Sequence, residues 1–76
     1  MAITLEQVYV GSTFADIKVN DMPTGYTKAL RIYLDGEIYI DNRIIDADQS
    51  SAYVSITDLS YGSYVVRAEI HYSYYS

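Results

Sequence analysis

Residues 54–70 read "VSITDLSYGSYVVRAEI". Apolar residues alternate with polar ones on both sides of a break. Val54 and Ile56 flank Ser55. Further on, Tyr64, Val66, Ala68 and Ile70 alternate with Val65, Arg67 and Glu69. A period of two marks a strand with one face packed and one face wet. The break, "DLSYG", carries Asp, Ser and Gly and reads as a corner. The same period runs on to the end. Tyr72 and Tyr74 fall on the first face, and His71 and Tyr75 on the second.

The rest of the chain has the same grammar, with β-branched and aromatic runs and no helical period. A first strand over residues 3–10 starts with Ile3 and Leu5 on one face. It changes phase near Gln7, so that Val8 and Val10 take the opposite parity, which predicts a bulge or a switch of sheet. Gly11 and Ser12 make a turn. A second strand over residues 13–20 turns Ala15, Ile17 and Val19 inward. A loop holding Pro23 and Gly25 follows. The third strand, residues 27–35, buries Leu30, Ile32 and Leu34 and exposes Arg31 and Tyr33. Asp35 and Gly36 form a hairpin turn of the type that needs positive φ at both centres. A fourth strand, residues 37–41, is expected to bury Ile38 and Ile40 and expose Tyr39. Residues 41–51 read as a connection pinned by Ile44 or Ile45. The fifth strand, residues 51–57, buries Ala52, Val54 and Ile56.

Six short strands at regular spacing predict a small all-β antiparallel sandwich, one domain spanning residues 1–76. At 76 residues with no cysteine, neither disulfides nor a thiolate metal site reinforce the core. Stability should therefore be marginal, which favours assembly with a partner or other copies.

The stretch quoted first resembles the E strand, corner and F strand of immunoglobulin-like and fibronectin type III-like domains. Leu59, Gly62 and Tyr64 stand where that family has a Leu, a corner Gly and the Tyr that opens strand F. The resemblance implies that the Tyr64 hydroxyl bonds to backbone a few residues upstream. Asp35 and Gly36 resemble the family's C–C′ turn. The family's strand-C Trp, its disulfide and a last strand G have no counterpart here. Residues 63–75 would span ~40 Å at ~3.3 Å per residue, against roughly 17–20 Å for an ordinary strand. Either the strand bends at Ala68 or Glu69 or swaps sheets, so that its end does the work of strand G, or its end projects and pairs with another chain by edge addition or with a symmetry mate. The second is the favoured expectation.

Charge and motif content narrow the function classes. Ten acids against five bases give a net charge of −5, which disfavours nucleic acid and anionic membranes as partners. "MAITLEQVYV" has no basic start followed by an apolar run, so it lacks a signal-peptide pattern, and synthesis in the cytoplasm is expected. The one histidine, His71, has no nucleophile–base constellation around it in sequence, and Glu37, Asp41, Asp46 and Asp48 read as a solvated rim. No enzyme, cofactor or required metal is expected. Asp41, Asn42, Asp46 and Asp48 offer oxygen ligands for Ca²⁺, but their spacing is not an EF-hand and Arg43 sits among them.

Ten tyrosines carry nearly all the aromatic content, with Phe14 the one other aromatic. Tyr33 and Tyr39 share outward parity on adjacent strands and are expected to pair across them, near Arg31, Arg67 and His71. Tyr and Arg are enriched at interface centres. Tyr33, Tyr39, Arg67, His71, Tyr72, Tyr74 and Tyr75 are therefore the candidate protein-contact residues, and Phe14, out of phase, a candidate for a second patch. The expected role is a structural or interaction module within a larger assembly, such as a phage virion decoration or fibre protein, by analogy of fold. Two alternatives belong to other classes. One is an acidic inhibitor occupying the basic groove of a nucleic-acid-binding enzyme. The other is a carbohydrate-binding or adhesion module stacking sugars on Tyr33 and Tyr39.

Overall fold

The computed structural model describes residues 2–72, with only the backbone of Tyr72. Six strands form: β1 (Thr4–Val10), β2 (Ala15–Asn20), β3 (Lys28–Leu34), β4 (Glu37–Ile45), β5 (Ala52–Ile56) and β6 (Val66–Tyr72). They make two three-stranded antiparallel sheets, ordered β1-β2-β5 and β4-β3-β6. The small all-β sandwich read from the period is the fold that forms.

The core follows from alternation. Ile17 and Val19 of β2 and Ala52, Val54 and Ile56 of β5 meet Leu30 and Ile32 of β3 and Ile45 of β4, with Met22 beside them. Burying each Leu or Ile contributes roughly 1.5–3 kcal/mol before chain entropy is subtracted. The phase change in β1 is a bulge. The register moves between Gln7 and Tyr9, so Leu5 lies opposite Val19 and Val10 opposite Ala15, both on the inner face. The extra residue, Val8, thus returns Leu5 and Val10 to one side.

The β3–β4 hairpin turns at Asp35 (φ 50°) and Gly36 (φ 85°), the two positive φ values a type I′ turn requires. The strand that leaves it differs from the sequence expectation. It runs on to Ile45, so residues 41–45 are strand rather than connection. Two register shifts against β3 interrupt its alternation. Ile38 lies opposite Tyr33 on the outer face and is 54 % exposed, which corrects its assignment to the core. Of the two candidate pins, Ile45 is buried and Ile44 is exposed.

β6 also starts later than its period suggests. Residues 63–65 are outside it, and its register with β3 is unbroken from Val66 to Tyr72, through Ala68 and Glu69. No bulge or register shift falls at either residue. A charged residue enters the core as well. Lys28 has the inward parity of Leu30 and Ile32 and is 0 % exposed. Its ammonium donates to the carbonyls of Asp46 (2.9 Å) and Gln49 (2.7 Å), tying the β4–β5 connection over one end of the sandwich.

Candidate functional site: an open seam and a charged aromatic face

The two long sides of the sandwich differ. Along one side the edge strands β4 and β5 are laced together. The Tyr39 hydroxyl accepts from the Thr57 amide (2.9 Å) and lies 3.3 Å from its Oγ1, and Arg43 donates to the Tyr53 carbonyl (2.9 Å). Along the other side lie β1 and β6, and among the described residues no hydrogen bond or ion pair joins them. A groove of about 660 Å³ opens there, lined by Leu5 and Val10 of β1, Ile17, Leu34, Leu59 and Val66 among others. The inner residues of β6 (Val66, Ala68 and Ile70) are only half-buried, as is Leu34 opposite Val66, while Leu30 and Ile32 of β3 and Ala52, Val54 and Ile56 of β5 are buried.

The corner above this groove is firmly held. The Tyr64 hydroxyl accepts from the Ser60 amide and donates to the Ser60 carbonyl, both at 2.9 Å. Gly62 takes φ 147°, a region L side chains rarely adopt, and Leu59 packs on the core while its amide donates to the Thr13 carbonyl (2.8 Å). Asp35 fixes the approach to β6 twice. Its amide donates to the Val65 carbonyl (2.8 Å), and its Oδ1 accepts from the Val65 amide (2.7 Å).

That double bond sets which way the β6 peptides point. In an antiparallel ladder, hydrogen-bonding residues alternate. Val65 bonds across to Asp35, so Arg67, Glu69 and His71 direct their peptides to β3. Val66, Ala68 and Ile70 therefore direct theirs to the open edge. Among the described residues β6 pairs only with β3. An unpaired edge of this kind is a template for another strand.

The outer face of the same sheet carries a charged aromatic cluster. The Arg67 guanidinium stacks 3.9 Å from the centre of the Tyr33 ring. The Tyr33 hydroxyl donates to Glu69 (3.4 Å), and Glu69 binds Arg31 (3.2 Å) and Arg67 (3.6 Å). Arg31 also contacts Asp41 (3.3 Å). Its pKa is raised, first by hydrogen bonding with Tyr33, with Asp41 and Glu69 adding to this and desolvation opposing it. Exposed Ile38 and Ile44 extend the face across β4. His71 lies opposite Ala29, and its Nε2 is buried with no hydrogen-bond partner among the described residues.

The structure thus brings Tyr33, Arg67 and His71 onto one face and removes Tyr39 from it. The expected cross-strand pairing of Tyr33 with Tyr39 does not form: the register shifts in β4 place Ile38 opposite Tyr33, and the Tyr39 hydroxyl points to β5. Tyr72 contributes its backbone to β6, and Tyr74 and Tyr75 lie outside the described residues. Sequence reasoning missed Glu69, the acceptor that joins Tyr33 to both arginines. Its signal was present, since it stands between Arg67 and His71 on the outward parity. Elsewhere, Phe14 stacks on Tyr9 (5.5 Å between centres) on the other sheet's side. Among the described residues no three His, Asp or Glu side chains are gathered as a metal would need, and Asp41 is spent on Arg31.

Comparison with family models, with curated proteins and with solved structures finds no match to this chain.

Proposed function

We propose that this chain is a non-enzymatic interaction module, an immunoglobulin-like sandwich that makes protein contacts through β6. The contact surface is the β6 edge together with the outer face around Tyr33 and Arg67. The observation that carries the reading is the asymmetry of the two seams. One is laced by Tyr39 and Arg43; the other leaves a groove, half-buried apolar side chains and a row of edge-directed peptides. Small domains blunt such edges when they act alone. Here the aromatic and arginine content of the adjoining face suits burial against protein.

The immunoglobulin-like part of the reading rests on strand order and the corner. Equating β1, β2, β3, β5 and β6 with strands A, B, C, E and F puts A, B and E in one sheet and C beside F in the other, as in that family. The Tyr64 hydroxyl meets the backbone four residues upstream. A place in a larger assembly, such as a phage virion, follows by analogy of fold alone.

The test is position-specific photo-crosslinking in the cells that make the protein. A photoreactive residue replaces Val65, beside β6, or Ser55, on the outer face of β5. Adducts from position 65 and none from position 55 support the reading. No adduct at 65 overturns it.

A further inference from the structure

We infer that the partner of the β6 edge is a second copy of this chain, joined β6 to β6 about a two-fold axis through Ala68. The inference rests on the interaction-module reading and specifies its occupant.

Antiparallel pairing of two edges demands residues whose peptides both point outward. On β6 those are Val66, Ala68 and Ile70, all even-numbered, so a two-fold pairing centres on an even residue with even partners or on an odd residue flanked by them. Charge then selects among registers. Centring on Glu69 sets it against Glu69 of the partner subunit, and centring on Arg67 sets two guanidiniums face to face. Like charges directly opposite are unfavourable.

Centring on Ala68 removes both conflicts. Ala68 faces its own copy, and Val66 faces Ile70 of the partner subunit on the inner side. On the outer side Arg67 faces Glu69 of the partner subunit, and the reciprocal pair repeats by symmetry. Both side chains lie on the outer face, turned toward β3, and need only share their charge with the partner subunit across the new seam. Arg67 is pinned over Tyr33 at 3.9 Å, and Glu69 is held by Arg31 at 3.2 Å. The dimer therefore links two preformed clusters into one row of alternating charge. It also joins two three-stranded sheets into one of six, ordered β4-β3-β6-β6-β3-β4, and covers the open β6 edge of both copies. An interface of this kind is isologous and closes after two chains, so it yields dimers and not fibres.

Centring on Ile70 also satisfies the peptide directions and sets Glu69 against His71 of the partner subunit. It pairs one fewer ordinary ion, since Arg67 then passes beyond the described strand. The Ala68 register is the one that uses both charges of β6.

The chain has no cysteine, so single cysteines report the register without background. Ala68→Cys, Glu69→Cys and Ile70→Cys are oxidised and run on a non-reducing gel, with light scattering of the unaltered chain alongside and circular dichroism confirming each fold. The expected result is a scattering mass of two chains, a covalent dimer from Ala68→Cys, and at least tenfold less from the other two. Ala68→Pro, which deletes an edge-directed amide and no bond to β3, should be folded and monomeric. Stronger crosslinking at 69 or 70 than at 68 overturns the register. A monomeric unaltered chain overturns self-pairing while leaving an adduct with another protein at position 65 to uphold the module reading. A dimer that survives Ala68→Pro with its fold intact overturns self-pairing through β6.

Discussion

Replacing Lys28 with Met isolates the contribution of a buried cation to this small core. The lysine is fully buried, and its ammonium serves two carbonyls at 2.9 and 2.7 Å with no carboxylate in the pairing. Met keeps most of the apolar stem and removes both bonds. A hydrogen bond to a charged group is worth about 1.5–3 kcal/mol net, so two bonds set an upper bound of roughly 3–6 kcal/mol. Two effects reduce it. Asp46 and Gln49 are exposed residues, so their carbonyls can bind water once released. The ammonium also loses hydration on burial, a cost that Met does not carry. The expected net loss is about 1–3 kcal/mol. For a domain this size about 1 kcal/mol moves the midpoint by roughly 4–8 °C, so Lys28→Met should melt about 4–24 °C lower. Differential scanning calorimetry measures the shift, and amide exchange should rise first in residues 46–49. A variant as stable as the parent, or more stable, would refute the reasoning. Desolvation would then outweigh both bonds.

Tyr64→Phe removes both bonds to Ser60 at a partly exposed corner and should cost about 1–2 kcal/mol by urea unfolding, with an unchanged m-value. Gly36→Ala forces a Cβ into φ 85°, where space is free but the conformation is not. A loss of about 1 kcal/mol is expected in the same assay. Tyr39→Phe unlaces the β4–β5 seam at Thr57 and should cost about 0.5–1.5 kcal/mol without changing the mass seen by light scattering. Gly11→Ala places a Cβ 2.6 Å from the Phe14 ring, so the ring should leave its stack on Tyr9, read as a loss of the ring-current shift in proton NMR.

The strands most legible in sequence were those whose alternation is unbroken. β2, β3 and β5 place alternate apolar residues inward, and the β2–β5 and β3–β6 registers are unbroken. β1 was legible even through its defect, because a change of parity is itself the mark of a bulge. β4 was not. Its two register shifts break the period just where Asp41, Asn42 and Arg43 give the segment the polarity of a loop. The mispairing of Tyr33 with Tyr39 has the same origin: parity counted along the chain does not cross a bulge. At the start of β6 the opposite error arose. Tyr64 keeps the inward phase although its hydroxyl is used by the corner, so the alternation begins before the ladder does. Lys28 was hidden by its charge, since its inward phase was plain and its carbonyl partners were 18 and 21 residues away. The groove belongs to no single segment. It arises from how far apart two edge strands lie, and no local pattern encodes that distance.

Amide hydrogen exchange along β6, followed as the protein is concentrated, tests the central claim most directly. The amides of Glu69 and His71 bond within the sheet and should be protected at every concentration. Those of Ala68 and Ile70 point to the open edge. They should exchange quickly in dilute solution and become at least tenfold slower as β6 pairs. Rates at Ala68 and Ile70 that stay fast and unchanged over the whole range would contradict the account.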